Sequence, residues 1–425
     1  MSRFISATAA ALVAVGAATV PTQDAPANFL CHPNNDGLTL QAGFCAVVAA
    51  HTGGVGRHMT VAPNGDLFLS LRAPKNGGGI VALRDTDGDG VFDVEQRFGE
   101  FGGTGIALRP GFLYHAQDQA IVRYPLREGE MVPAGPPETV VHLPEQSGHA
   151  AKGLAFDDRG GMYVNVGAPS NACQQEDRVT GSVGQFPCPF LENHAGTWRF
   201  DEDRIAQSQE HGGRRYATGM RQLYALTWHA GFLWAVQHGR DQLNTLYPEY
   251  YNVRQNAELP SEELLRIDED SDFGWPYCYH DWQQGIRVQS PEYGGDGKII
   301  GDCAKYPTPA AAFPGHWAPG SLVFYAGRQF PPRYRGGAFI AFQGSWNRAP
   351  EPAGGYKVVF QPFEGTLKSR LYEVFADGFA GRVPLMRRED ARARPSGLAV
   401  APDGSLYVSD MVEGKIWRIV YRAPR

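Results

Sequence analysis

Short apolar runs, each interrupted by a turn after a few residues, recur along the whole chain. In GHAAKGLAFDDRGGMYVNVG, from Gly148 to Gly167, the residues Leu154, Ala155 and Phe156 lead into an Asp-Asp-Arg-Gly-Gly turn, and Met162, Tyr163 and Val164 follow it. Two apolar runs around a Gly-containing turn predict a β-hairpin. The same pattern, with a Pro/Asp-Gly turn and a second run ending in aromatic–aliphatic pairs, returns at 57–72 and 396–419. Looser copies stand at 105–124, 224–241 and 321–346. Six units spaced about 45 residues or more apart, each holding several short strands, are the sequence signature of a β-propeller. The expected fold is all-β, a six-bladed β-propeller. The long insertions between the last copies, 242–320 among them, are expected as loops over one face. A large β-sandwich or a pair of barrels is the alternative, and six related hairpins count against both.

Composition agrees with many short strands joined by turns: Gly (52) and Pro (31) make up about a fifth of the chain. Charge excludes more than it suggests. With 39 Lys and Arg against 45 Asp and Glu, the net charge is −6, and nothing points to nucleic acid or to an anionic membrane surface.

The first residues place Arg3 ahead of an Ala/Val-rich stretch followed by small residues. They read as a secretory signal peptide over 1–25, too short for a membrane span, with an uncleaved anchor as the alternative. Residues 26–425 are then a single exported domain, periplasmic or secreted, without a transmembrane segment. The six cysteines form no C-x-x-C pair, so zinc and thioredoxin-like chemistry are poorly supported. Six cysteines allow 15 pairings. They fall into neighbouring couples along the chain, which favours Cys31–Cys45, Cys173–Cys188 and Cys278–Cys303 in an oxidising compartment.

A propeller brings the residues just ahead of each inner strand to the mouth of one central channel. Arg57, Thr104, His149, Arg221, His316 and Arg394 hold those positions. Any one of them alone would be an ordinary solvated loop residue. Three arginines and two histidines at corresponding repeat positions instead make a cationic, concave site. Guanidinium groups pair bidentately with carboxylate or phosphate, so such a site suits a small anionic ligand.

The stretches GHAAKGLAF, YATGMRQLYAL, VQHGRDQL, AELPSEELLRIDEDSDFGWPYCYHD, FPGHWAPGSL, AFQGSWNRAP and RPSGLAVAPDG, in this order, resemble the soluble quinoprotein sugar dehydrogenases. These are six-bladed propellers that use pyrroloquinoline quinone (PQQ), and the resemblance is to their L-sorbosone dehydrogenase and pyranose dehydrogenase branches. It runs from Leu38 to Val420. It implies oxidation of a sugar or sugar-derived aldehyde, with hydride transfer to the quinone and a quinone or cytochrome as electron acceptor. His149 matches the family's catalytic base. Arg221 and Gln222 match a cofactor-contacting Arg-Asn pair, with Gln in place of Asn. His238 matches a PQQ contact, and the carbonyls of Gly239 and Arg240 match those that hold a catalytic Ca²⁺. Glu262 and Glu263 match an acidic pair behind that calcium, and His316 and Arg394 fall at further cofactor contacts. Two positions depart from the pattern. Asn347 flanked by Arg348 stands where some members carry a cofactor lysine, which makes Arg348 the candidate contact. Ala168 stands where other members have an Asp that orients the histidine, and Asn165 is a candidate for that task.

The chemistry of these residue types supports the same roles. PQQ is a tricarboxylate, so an Arg/His-lined pocket with a bound divalent cation suits it electrostatically. An imidazole neutral near pH 7 can accept a hydroxyl proton. The tryptophans and tyrosines of SWNR and GWPYCY could stack on a ring or serve as core aromatics.

A second metal signal lies apart from these stretches. In RDTDGDGVFDVEQ (84–96), Asp85, Asp87, Asp89 and Asp93 alternate as calcium-loop ligands around Gly90. Gln96 stands where an EF-hand would carry Glu. A structural Ca²⁺ is expected there, and a solvated acidic turn is the alternative.

Two other functions fit a propeller. A calcium-dependent lactonase would hold its channel metal with several acidic or amide side chains, whereas this channel is lined mostly by basic ones. A non-catalytic binding propeller would need neither a base nor a tricarboxylate pocket.

Overall fold

The structure, a computed structural model, describes residues 29–364, 368–369 and 371–422. The leader expected over 1–25 lies outside the described residues. Apart from two short helices, Leu243–Leu246 and Val253–Glu258, and a few 3₁₀ turns, the regular structure is β.

Six sheets of four or five strands, antiparallel but for one short edge pair, follow one another along the chain. Their innermost strands are Gly56–Val61, Ile106–Arg109, Leu154–Phe156, Leu223–His229, Pro319–Phe324 and Pro395–Val400. Each lies against the next, and the last returns to the first, so the ring closes. Every one of the six hairpins expected from the sequence supplies the first two strands of a blade. The sixth blade takes its outermost strand, Phe44–His51, from the other end of the chain, in register from Phe44 opposite Tyr421 to His51 opposite Lys415. Thr39–Leu40 likewise edges the fifth blade. Opening the ring would therefore break a whole ladder.

The alternation of side chains along a strand explains how the blades stack. In the second strand of the first blade, Leu67 and Leu69 pack with Tyr407 and Ala399 of the sixth blade. Phe68, between them, packs with Leu113 and Val122 of the second. Each pair of adjacent blades shares one such core, giving six around the ring. Second strands are covered on both faces, which is why Gly161–Val166 and Ala338–Phe342 are buried at every position.

The segment 242–320 departs from its reading as a loop. It contains Glu262–Ile267 and Ala311–Phe313, the two outer strands of the fourth blade, as well as the helices and a Cys278–Asp281/Ile286–Gln289 hairpin. The three disulfides are those expected, with Cα–Cα distances of 5.7, 6.1 and 5.8 Å. Cys31–Cys45 ties the chain to the closing strand. The other two staple long connections: one follows the second strand of the third blade, and one joins the two outer strands of the fourth. Among the described residues, no helix is long and apolar enough to cross a membrane.

Candidate active site

Inner strands start, and second strands end, at the same face of the ring. The segments preceding Leu154, Leu223, Pro319 and Pro395, and those following Gln237 and Phe342, therefore converge on one mouth.

His149 sits on the connection into the third blade with φ 53°, a left-handed conformation that costs a non-glycine residue about 1–3 kcal/mol and needs surrounding structure to hold it. Its Nδ1 lies 2.5 Å from the carbonyl oxygen of Ala168. A carbonyl only accepts, so Nδ1 carries the proton and Nε2 is left with a free lone pair. The departure at Ala168 thus resolves itself: the backbone there supplies the acceptor that the missing Asp side chain would have supplied. Asn165 does not reach the imidazole. Its amide accepts from Gly153 N at 2.5 Å and donates to Ala151 O at 3.1 Å. Burial, and next the Arg221 charge, push the His149 imidazole down to about 3, so it is neutral at ordinary pH. Gly167 is required beside it, because a Cβ there would lie 1.9 Å from Gln222 Oε1 and 2.7 Å from the His149 carbonyl.

Arg221 is buried and saturated. It donates to Asn171 O at 3.2 Å, Asn171 Oδ1 at 3.1 Å, Gly239 O at 2.8 Å and Asp241 Oδ2 at 2.9 Å. Asp241 is shared with Arg178 at 2.9 Å, and although burial opposes its charge, Arg221 and its neighbours hold its carboxyl well below the usual range. Gly239 N donates to Glu262 Oε2 at 3.2 Å, and Ala318 N to Glu262 Oε1 at 3.1 Å. With no cation in ion-pair range among the described residues, the Glu262 carboxyl is pushed up by burial to about 8. Glu263 points elsewhere, pairing with Arg287 at 2.5 Å. It lines a narrow cavity behind Gly239 and Arg240.

Beneath the mouth the channel is bridged by aromatic rings. His238 stacks on Tyr224 with centroids 5.3 Å apart and an interplanar angle of 4°, and its Nε2 donates to Pro319 O at 2.7 Å. His58 packs edge-on against the same tyrosine and donates to Gly320 O at 2.8 Å. Burial lowers both imidazoles to about 4. Arg57 lies over the Tyr224 ring at 5.2 Å, only 9% exposed, and its Nε has no hydrogen-bond partner. Burial, with Arg72 and Arg394 nearby, lowers it to about 10. Arg394 donates to Gln343 O at 2.8 Å and Gly344 O at 2.7 Å. Neither Arg57 nor Arg394 has a carboxylate in ion-pair range among the described residues. Gln222 is buried with its Oε1 unpartnered.

Other candidates are committed elsewhere. His316, 3% exposed, turns Nε2 onto Asn256 O and Leu259 O, both at 2.9 Å, with Nδ1 3.8 Å from Asp241. Arg348 pairs with Glu258 at 2.6 Å and donates to Gly315 O and Pro352 O, latching its loop to the helix Val253–Glu258. The Arg240 side chain is buried against Glu292. On the opposite face, the carboxylates of Asp85, Asp87 and Asp89 lie within 4.8 Å of one another. Asp93 stands outside that group, its carboxylate accepting from Thr86.

Four contributors escape the sequence reading: Asn171, Asp241, His58 and Tyr224. Asp241 and His58 stand next to assigned residues, in VQHGRD and RHMT, and adjacency was their only signal. Asn171 had none, because its partners Arg221 and Asp241 are 50 and 70 residues away.

A family model described as TrAA12-like matches residues 38–422. The chain belongs to the TrAA12-like family. Solved structures with the same fold include the holo form of the pyranose dehydrogenase PQQ domain from Coprinopsis cinerea, 19% identical with a TM-score of 0.70 over 90% of this chain and 97% of that one. The calcium structure of the Trichoderma reesei AA12 enzyme is 16% identical, with a TM-score of 0.73 over 95% and 98%. The PQQ-bound aldose sugar dehydrogenase of Streptomyces coelicolor is 17% identical, with a TM-score of 0.55 over 90% and 99%. A Borreliella burgdorferi protein described as uncharacterized is 32% identical over 167 residues, 38% of this chain and 40% of that protein, so the match spans less than half of either. The resemblance to PQQ-type sugar dehydrogenases holds for this TrAA12-like chain, as does the six-bladed fold.

Proposed function

We propose that this TrAA12-like protein is a PQQ-dependent dehydrogenase that oxidises a sugar or a sugar-derived aldehyde, with a quinone or cytochrome as electron acceptor. The observation that carries the proposal is the His149 imidazole, neutral and with Nε2 free, at the same mouth as the buried guanidinium groups of Arg57 and Arg394, which lack carboxylate partners among the described residues. The residues present fit the cofactor. Arg57 and Arg394 would hold its carboxylates. His238 and Tyr224 form a flat floor suited to a planar ring. A Ca²⁺ would rest on the carbonyls of Gly239 and Arg240, with Glu262 behind as an anionic backing that lacks a cation of its own. When bound, PQQ supplies the hydride acceptor and Ca²⁺ a Lewis acid at the quinone oxygen.

The chain's own part is proton transfer and orientation. His149 Nε2 takes the hydroxyl proton as the sugar is oxidised, and Nδ1 stays bonded to Ala168 throughout, which keeps the ring facing one way. Arg221 spends its donors on Asn171, Gly239 and Asp241, and so fixes the Gly239 carbonyl. A second, structural Ca²⁺ belongs at Asp85, Asp87 and Asp89. A leader over 1–25 and three disulfides suit export to an oxidising compartment. A lactonase would gather its acids at the mouth, whereas the cluster of three found among the described residues lies on the opposite face.

The test is a dye-linked assay of purified protein. Sugar oxidation should appear on adding PQQ with Ca²⁺ and not with NAD⁺. Full activity with NAD⁺ alone, or lactone hydrolysis without quinone, would contradict the proposal, and quinone binding without turnover on any sugar would indicate a binding propeller.

A further inference from the structure

The loop that carries His149 holds a buried cation with no role in the chemistry above. Residues 146–151 are neither strand nor helix, so their carbonyls have no ladder partners. Side chains supply them instead. The Gln146 amide NH₂ donates to Gly148 O at 2.6 Å, His149 O at 3.0 Å and Gly167 O at 3.3 Å. Its own oxygen accepts from Lys152 Nζ at 3.0 Å, and the same ammonium donates to Ala150 O at 2.6 Å. Lys152 is 0% exposed and has no carboxylate in ion-pair range among the described residues. A buried charge is costly unless hydrogen-bonded, and here only oxygens of this loop satisfy it. An ammonium has donors and no acceptor, so it dictates which way the Gln146 amide faces.

One amide therefore ties together both sides of the hydrogen bond that orients the base. It grips the backbone at His149, held at a left-handed φ, and the backbone at Gly167, directly before the Ala168 carbonyl that receives Nδ1–H. We infer that Gln146, oriented by Lys152, is the positioning residue for His149, doing through backbone carbonyls what a carboxylate at position 168 would do directly. The inference rests on His149 being the base.

Two substitutions test it in the PQQ- and Ca²⁺-loaded enzyme. Gln146→Leu removes the donors. Gln146→Glu keeps the shape and a partner for Lys152 but has no NH₂ to give to the three carbonyls. Both should lower kcat at saturating sugar by roughly 10–100-fold, the scale of a misplaced reacting group, while PQQ affinity stays near wild type. Both should also raise the primary isotope effect with sugar deuterated at the oxidised carbon. Wild-type kcat and an unchanged isotope effect in Gln146→Glu would overturn the inference. Should Gln146→Leu fail to fold, the isosteric Glu variant carries the same expectation.

A double variant separates this inference from the reading beneath it. With His149→Ala in place, adding Gln146→Glu should slow turnover no further, because Gln146 acts through the histidine. Near-normal turnover in His149→Ala alone would refute the base. Slow turnover in His149→Ala, with wild-type kcat in Gln146→Glu or with additive losses in the double variant, would refute the positioning role and leave the base standing.

Discussion

The two sides of the mouth are built on opposite electrostatic plans. Around blades three and four, these arginines and all but one of the carboxylates near the mouth are internally answered: Arg221 and Arg178 share Asp241, Arg287 holds Glu263, and Arg240 meets Glu292. The exception is Glu262, a buried carboxyl with amide donors and no cation. Around blades one and six the exceptions are cations. Among the described residues, Arg57 and Arg394 have no carboxylate partners, and one Arg57 nitrogen has no partner at all. A folded chain rarely leaves such groups buried unless something completes them. One side asks for a cation and the other for anions. A tricarboxylate held together with Ca²⁺ answers both at once, whereas a neutral ligand would answer neither.

His149 stands at the same mouth, and its removal should have the largest effect. His149→Ala should lower turnover by roughly 10²–10⁴-fold, the usual worth of a positioned proton acceptor, with PQQ and Ca²⁺ binding retained. Near-normal turnover would place the base elsewhere, and a loss confined to PQQ affinity would make His149 a cofactor contact.

The contrast between the arginines should appear next, as opposite effects on stability. Arg57→Met should weaken PQQ binding, by roughly 1.5–3 kcal/mol for a lost charge-assisted contact, which is about 10–100-fold. Only Arg221→Met should destabilise the ligand-free protein, by about 3 kcal/mol or more, because it strands Asp241 without one of its cations. Arg57→Met removes a buried charge with no ion pair, so it should leave thermal stability unchanged or raised. Equal destabilisation in both variants would erase the distinction between the two sides.

A smaller effect follows from the rings at and near the mouth. Burial holds His58, His115 and His238 neutral down to about 4, and His149 to about 3, against an ordinary value of 6.5. The unfolded chain takes up these protons as pH falls through 6.5, while the folded protein takes them up only near its own lower values. Stability should therefore be lost progressively between about pH 6.5 and 4, with protons taken up on unfolding. Thermal midpoints that stay flat over that range would show these rings titrating normally. For the same reason His149 should not titrate near 6.5 in the ligand-free protein, as its unperturbed value would suggest. Nitrogen NMR should find it as the Nδ1–H tautomer at pH 5.

How much of this could be read from the sequence depends on what kind of partner each residue has. The inner hairpins were legible because two-residue alternation and Gly turns are local signals, repeated six times. The outer strands Glu262–Ile267 and Ala311–Phe313 were not, because about 40 residues of hairpin, 3₁₀ turn and loop intervene between them and break the repeat spacing. Arg221 and Arg394 were legible as charged residues ahead of an apolar anchor. The orientation of His149 was not, because its acceptor is a backbone carbonyl, and any residue type at position 168 presents one. His316 and Arg348 show the converse: both sit in family-like stretches, yet their donors are turned onto backbone and Glu258. Side-chain identity marked them, and only the packed structure shows where those side chains are spent.

The central claim is that the mouth is divided between an anion-holding and a cation-holding side that one PQQ–Ca²⁺ pair completes. Calorimetric titration of the ligand-free protein with PQQ, with and without Ca²⁺, tests it most directly. The account predicts a complex of one PQQ per chain whose affinity rises when Ca²⁺ is present, with Glu262→Gln abolishing most of that gain. Binding of PQQ indifferent to Ca²⁺, or no binding at all, would contradict it.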